Sequence, residues 1–553
     1  MTKTDIEDLQ RQLSGDVEVS AEVREQYSHD TSLFEVVPEA VVFPKDVADV
    51  KKLVQWAVTH KVDLPNLSLT ARSGGTDMSG GAINDSIIVV FDRYINRIGS
   101  VEDNSIWTEP GAYYREFDAK TIADSNQIMP AYPASRELCA VGGMVANNAG
   151  GEKSLVYGKV ENFVNQLKVI LRDGNEYELG PLNEQQLAEK LVQNDFEGEL
   201  YRQIHKLLDD NYDQIMTAKP KVTKNSTGYK LWDVWDRDAG TFDLSQLMVG
   251  AQGTLGLITD INYRLVPKPK HSGVLSGYAR DLDHLGELIE VLLDHQPTAI
   301  EAFDKHTLKF AFKFFLKFRK SLGWWGLIKL AFSLIPDAFV LLLGTPDLIF
   351  IASYDGETHD EINKKLHTLK RDLDVKKWHM TTMLAETEAE ADRYWLMRRK
   401  SFALLRDNVK GNLHTAPFID DIVVPPHELM AFWPKLVEVM ERYDFLYTIA
   451  GHLGDGNFHI IPLMDLSDEH ERAKIEPALL EVIKLVKLHG GVISGEHNDG
   501  LIRGPFLANI YGDDVFELFK QTKQIFDPDN IFNPHKKTDA DWQYSKSMIR
   551  SKF

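Results

Sequence analysis

RSGGTDMSGG, residues 72–81, lies between the strand-like runs LPNLSLTA at 64–71 and SIIVVFD at 86–92. Gly74, Gly75, Gly80 and Gly81 interleave there with Ser73, Thr76 and Ser79. Such a loop lets backbone N–H groups converge on an anion without side-chain obstruction, and a pyrophosphate is a natural occupant. The segment matches neither GxGxxG nor GxxxxGK[ST], which disfavours a Rossmann dinucleotide fold and a P-loop nucleotidase. Just upstream, residues 36–60 read as a short strand (AVVF), a proline, and a helix opening on acidic residues with apolar positions at helical spacing.

Two further small-residue stretches repeat the signature. PASRELCAVGGMVANNAGGEKSLVYG at 133–158 carries Gly142, Gly143, Asn147, Asn148, Gly150 and Gly151, and VGAQGTLGLIT at 249–259 follows KNSTGY at 224–229. Each flanks a strand-like run, so several loops are expected to bring backbone close to one extended ligand. Short apolar runs alternate with longer amphipathic stretches, without internal repeats, and the expected class is α+β.

The chain has 553 residues, with 62 Lys+Arg against 83 Asp+Glu for a formal net charge of −21, which excludes a generally basic nucleic-acid binder. With 43% apolar and 26% charged residues it reads as folded globular protein of two or three domains. Cys139 is the single cysteine, so neither a disulfide framework nor a cysteine-ligated iron–sulfur cluster can be built from this chain alone. The start, MTKTDIEDLQRQL, has no apolar signal core, and a cytoplasmic location is expected.

The densest chemistry lies in AGHLGDGNFHI at 450–460 and SGEHNDG at 494–500. His452 and His459 would face different sides of one regular strand, but Gly454 and Gly456 allow a turn that converges both imidazoles on one cation. Glu496 offers a carboxylate ligand and His497, beside it, a base. Two histidines and a carboxylate with an open position suit a divalent first-row ion used as a Lewis acid, Zn²⁺ or Mn²⁺.

RSGGTDMSGG, VGGMVANNAGG, KNSTGY and AQGTLGLIT resemble the flavin-binding segments of the vanillyl-alcohol-oxidase/PCMH superfamily. The resemblance implies a PCMH-type FAD domain of two α+β subdomains over 36–268, after an N-terminal helical segment at 1–35. A substrate (cap) domain would occupy 269–504, and 505–553, with IFDPDNIFNPHKK at 525–537, would return to the FAD domain. It further implies FAD contacts from Arg72, Ser73, Gly74, Gly75, Thr76, Ser79, Gly80, Ser135, Gly142, Gly143, Asn147, Gly253, Ile258 and Asn533. Thr76 stands where some members carry a flavin-linking histidine, so FAD is expected to be non-covalent; Gln252, Ala134 and His535 are smaller departures.

HxGDGNxH with GEH is similar to the D-2-hydroxyacid dehydrogenase branch, which includes D-lactate dehydrogenases, D-2-hydroxyglutarate dehydrogenases and the flavin subunit of glycolate oxidase. By that resemblance His452, His459 and Glu496 hold the metal, His497 takes the hydroxyl proton, and Arg398, in the WxxR pattern of YWLMRR, binds the substrate carboxylate. Phe402 and the lack of a lysine in FIDDIVVP at 418–425 favour a D-lactate-like monocarboxylate over a D-2-hydroxyglutarate-type dicarboxylate. A non-catalytic flavin electron-transfer subunit and an ether-lipid-forming flavoenzyme are rival readings that fit the intact His/Glu set less well.

Within 305–343, Lys305, Lys309, Lys313 and Lys317 recur every four residues, followed by Trp324 and Trp325, with no acid before Asp337. The pattern predicts a basic amphipathic helix on an anionic membrane surface, against the alternative of a cap helix with an aromatic core side. Peripheral attachment on the cytoplasmic face of the inner membrane would bring electrons to quinone or another carrier.

Overall fold

The computed structural model describes residues 1–305, 344–388, 390–392, 394–395 and 412–552. Arg398, Phe402 and residues 306–343 of the basic segment lie outside them.

The first sheet follows from the βαβ pattern around residue 40. Strand Ala40–Phe43 leads into helix Val47–His60, capped by the Asp46 carboxylate, which accepts from the Asp49 amide. The sheet then runs Asp16–Glu18, Ala40–Phe43, Ile87–Val90, Leu69–Arg72; the first pair is antiparallel and the others parallel. AVVF and IIVV are buried at every position, as central parallel strands covered on both faces must be. Residues 1–35 are therefore not helical throughout: between helices Lys3–Gln12 and Ala21–Gln26, the strand Asp16–Glu18 adds to this sheet. The loop 72–81 leaves the carboxyl end of Leu69–Arg72, the edge at which open α/β sheets place their ligands.

A second, antiparallel sheet has the order Ile98–Glu102, Ser105–Thr108, Leu257–Arg264, Val164–Ile170, Glu176–Leu179. The segment 249–256 feeds its central strand.

The third sheet runs Met380–Ala385, His271–Ala279, Leu348–Gly356, Ala299–Asp304, Leu446–His452, Asn457–Met464, His414–Thr415, with Ile422–Val423 also pairing to Asn457–Met464. Helix His359–Lys376 packs on this sheet through Ile362, Leu366, Leu369 and Leu373, a buried stripe at helical spacing whose start is fixed by Thr358 accepting from the Glu361 amide. The largest apolar core among the described residues joins this sheet and its helices to Phe34, Ile83 and Leu501, so sheet and N-terminal half share one interior. Near the C-terminus, Phe532 bridges Leu69 in parallel register, adding a last rung to the first sheet.

Candidate active site

The three glycine-rich stretches meet around an open groove. Arg72, Ser73, Gly74, Gly75, Thr76, Gly142, Gly143, Asn147, Gly253 and Ile258 all line it. A Cβ at Gly143 would meet nothing nearer than Ser73 Oγ at 3.6 Å, and one at Gly253 nothing nearer than Ala71 Cβ at 3.6 Å. These glycines keep the groove clear, and the site accordingly fits a thin, extended ligand such as a dinucleotide.

Ser79, Gly80, Ser135 and Asn533 stand outside the lining and brace it. Ser79 Oγ donates to Asp77 and accepts from Gln252 Nε2. Gly80, at φ +84°, lies against Phe34 and Leu501. The Ser135 carbonyl accepts the Leu138 and Cys139 amides. Asn533 Nδ2 donates to the carbonyls of Gly81 and Gln252, and its Oδ1 accepts from Thr70 Oγ1. Asp77, which motif reading passed over, ties the loops: Oδ2 accepts the Ser79 and Gly81 amides, and Oδ1 accepts from Asn147 Nδ2 at 2.7 Å.

The histidine cluster is a consequence of strand register. His452 pairs with Asn457 across a tight turn, and His459 stands two residues beyond Asn457, hence on the same sheet face. On the other side His452 pairs with Glu301. Gly456 makes the turn possible: it sits at φ +66°, and a Cβ there would collide with the Val424 carbonyl at 1.9 Å.

Three ring nitrogens then converge on one carboxylate oxygen. His452 Nε2 and His459 Nε2 each lie 3.3 Å from Glu496 Oε1, and His497 Nε2 lies 3.7 Å from it. Every opposite nitrogen is held by an acid: His452 Nδ1 by Glu301 at 2.5 Å, His459 Nδ1 by Asp420 at 3.1 Å, and His497 Nδ1 by the other Asp420 oxygen at 2.6 Å. A carboxylate on Nδ1 fixes the tautomer, turning the Nε2 lone pair toward the centre, the usual arrangement behind metal-bound histidine. Donor set and orientation suit a divalent cation; of the expected ligands His459 and Glu496 fall, with His497 and Asp421, in the group whose donor atoms lie within 4.8 Å of one another, and His452 stands beside that group, 3.3 Å from Glu496 Oε1. Asp421 is also close, but its oxygens are engaged: Oδ2 accepts from Ser494 Oγ and the Glu496 and His497 amides, and Oδ1 from Asn457. It shapes the SGEH loop.

Electrostatics keep the cluster polarised. Burial pulls His459 down, but Asp420 and Glu496 outweigh it and raise it to about 10, so the ring carries a second proton at neutral pH that a bound cation would displace. His497 is raised likewise, against burial, by Asp420 and Asp421. Burial would raise Glu496, yet Lys224 and His452 hold it well below the ordinary carboxylate range. Of the three rings His497 is the most open, its side chain 20% exposed against 4% for His452 and 8% for His459, so it is the one a substrate can reach.

Sequence reading named His452, His459, Glu496 and His497, and the structure brings them together. Glu301 and Asp420, distant in sequence, were missed, although the Asp-Asp pair in FIDDIVVP was a visible signal. KNSTGY meets the loop of the histidine cluster. It lines no part of the groove and clamps SGEHNDG: the Ser226 amide donates to the Ser494 carbonyl, the Gly228 amide to Asp499, and Lys224 Nζ to Glu496 Oε2.

Cluster and groove are directly tied. Asn498 Nδ2, adjacent to His497, donates to the Asn147 and Gly250 carbonyls at 3.2 and 2.8 Å, and the Gly500 amide donates to Gln252.

This chain is similar to several known proteins. Residues 38–180 match the family model "FAD binding domain", and residues 268–537 match "FAD linked oxidases, C-terminal domain". The D-2-hydroxyglutarate dehydrogenase of Pantoea ananatis is 29% identical over 96% of this chain and 51% of its own length. This chain therefore spans about half the length of that relative. The D-lactate dehydrogenase of Archaeoglobus fulgidus is 27% identical over 90% of each chain. Among solved structures, 4-ethylphenol oxidase from Gulosibacter chungangensis superposes with a TM-score of 0.68 over 98% of both chains at 16% identity, a likeness of fold.

Proposed function

This chain belongs to the FAD-linked oxidases, and we propose that it oxidises a D-2-hydroxy acid to the 2-oxo acid. The observation that carries the reading is the ring of three imidazole Nε2 atoms around Glu496 Oε1, each ring oriented by a buried acid and the whole tied to the groove loops through Asn498. Bound FAD supplies the hydride acceptor, and a divalent cation, Zn²⁺ or Mn²⁺, supplies a Lewis acid for the hydroxyl oxygen. His497 Nε2 takes the hydroxyl proton while Asp420 holds its Nδ1 and stabilises the charge that results. The Cα hydrogen leaves with two electrons, so the alcohol carbon becomes the ketone.

Arg398 binds the substrate carboxylate in this reading, and FAD is non-covalent because Thr76 offers no attachment chemistry. A D-lactate-like monocarboxylate is favoured by Phe402 and by FIDDIVVP, which supplies Asp420 and Asp421 but no cation for a distal carboxylate. D-2-hydroxyglutarate is the second substrate reading, supported by the name of the Pantoea relative. The division into an FAD domain at 36–268, a cap at 269–504 and a return at 505–553 belongs to the same proposal. Electrons pass to quinone or a carrier protein, with the basic segment 305–343 resting on an anionic membrane at its cytoplasmic face; among the described residues no helix is long and apolar enough to cross a membrane.

The test is anaerobic bleaching of the flavin band by a panel of D- and L-2-hydroxy acids, with and without prior chelation. Rapid bleaching by one D-acid, lost on chelation, is expected. Bound flavin that no hydroxy acid reduces would overturn the reading.

A further inference from the structure

The metal cluster has two chemically different sides. One presents three imidazole nitrogens to Glu496 Oε1. The other is made of oxygens, and all of them already face a cation: Lys224 Nζ lies 3.2 Å from Glu496 Oε2, 3.5 Å from Asp455 Oδ2, 3.3 Å from Asn457 Oδ1 and 3.4 Å from the Gly151 carbonyl. Lys224 is fully buried, and so are these partners apart from a sliver of each acid. The loop reaches this point because residues 150 and 151 are glycines; a Cβ on Gly150 would already stand 3.0 Å from Glu496 Oε2. Asp455 Oδ1 is buried with no hydrogen-bond partner, so the oxygen side holds more acceptor capacity than one ammonium uses.

Two carboxylates, an amide oxygen and a backbone carbonyl form the donor set of a hard cation such as Ca²⁺ or Mg²⁺, whereas imidazole nitrogens suit first-row transition ions and zinc. We propose that Lys224 is a specificity-determining residue for the cation: its ammonium occupies the oxygen side of the site as a tethered cation, excludes Ca²⁺ and Mg²⁺, and leaves Glu496 a single free oxygen beside the nitrogen donors. This rests on the metal reading above and names how that site selects its ion. It also accounts for a lysine from the KNSTGY segment reaching 272 residues along the chain to Glu496. An ammonium is a compact point charge that can satisfy several oxygens at once without bringing a coordination shell of its own.

The test uses the FAD-loaded full chain, stripped of metal and titrated by calorimetry with Zn²⁺, Mn²⁺ and Ca²⁺. Wild type is expected to take one equivalent of Zn²⁺ or Mn²⁺ and to bind Ca²⁺ only weakly. Lys224→Ala is expected to retain FAD and to bind Ca²⁺ at least tenfold more tightly, while Lys224→Arg, which keeps the charge, stays close to wild type. Ca²⁺ affinity unchanged in an FAD-loaded Lys224→Ala protein would overturn the selecting role. Should that variant fail to hold FAD, Lys224→Ser is judged by the same criterion, and loss of FAD from both would make Lys224 structural only. Wild type that takes up neither Zn²⁺ nor Mn²⁺ would instead overturn the metal reading itself, a result distinct from a failure of Lys224.

Discussion

Asp420 gives its Oδ2 to His497 Nδ1 at 2.6 Å, and the same carboxylate's Oδ1 holds His459, so one buried acid orients both the candidate base and a candidate metal ligand. Asp420→Asn keeps the shape but presents an amide N–H to one ring, forcing it into the wrong tautomer. Flavin reduction is expected to slow by about 10²–10⁴-fold, the usual worth of a positioned general base, while FAD remains bound. Stopped-flow reduction by the preferred hydroxy acid measures it; a loss below tenfold would separate Asp420 from proton transfer.

Base and ligand should be separable by metal analysis. His497→Ala is expected to abolish reduction with both FAD and metal retained, whereas His452→Ala loses the metal as well. Glu301→Gln, which weakens the hold on His452 Nδ1, should lower cation affinity by about 10–100-fold. Elemental analysis beside the flavin absorbance of each variant distinguishes these outcomes.

Gly143 offers a test of the groove that spares the fold. Its Cβ direction is open, so Gly143→Leu should fold but fill space that FAD needs. The variant is expected to purify with less than a tenth of the wild-type flavin. A full flavin complement would place the cofactor elsewhere.

Asp30 sets a pH dependence of stability. Burial, reinforced by Asp77, pushes it up from 3.8 to about 7, and its Oδ2 is buried without a hydrogen-bond partner. Between those values the folded chain holds a proton that the unfolded chain has released, so this group's contribution falls as pH rises from 4 to 7, by at most about 1.4 kcal/mol per unit. Asp30→Asn removes that slope. Relative to wild type, the variant should gain stability steadily across this window in denaturant titrations at each pH, and a constant difference would refute the assignment.

What the amino-acid string discloses is the chemistry carried by contiguous motifs. RSGGTDMSGG and VGGMVANNAGG announce a groove because glycine spacing is local, and HLGDGNFH announces a hairpin because Gly456 has nowhere else to put a side chain. Glu301 was illegible for the opposite reason. It meets His452 only through strand register 151 residues away, and nothing in AIEAFD marks its acid as different from any other. FIDDIVVP lacks a lysine, and what its two acids do, one orienting rings and one folding the SGEH loop, is set by loops that lie far off in sequence. Lys224 lay in plain view within a motif associated with flavin, yet its amine points to the other half of the site. In each case the missing information is which strand or loop lies alongside, a property of the tertiary fold.

The contact of Asn533 with Gly81 and Gln252 has a consequence in time. Its amide joins Gly81 across 452 residues of sequence. At a synthesis rate of about 5–20 residues per second, the loop 72–81 is made roughly 20 to 90 seconds before the asparagine that braces it emerges. The back of the groove is therefore finished last, and loading with the nucleotide waits until Asn533 has emerged.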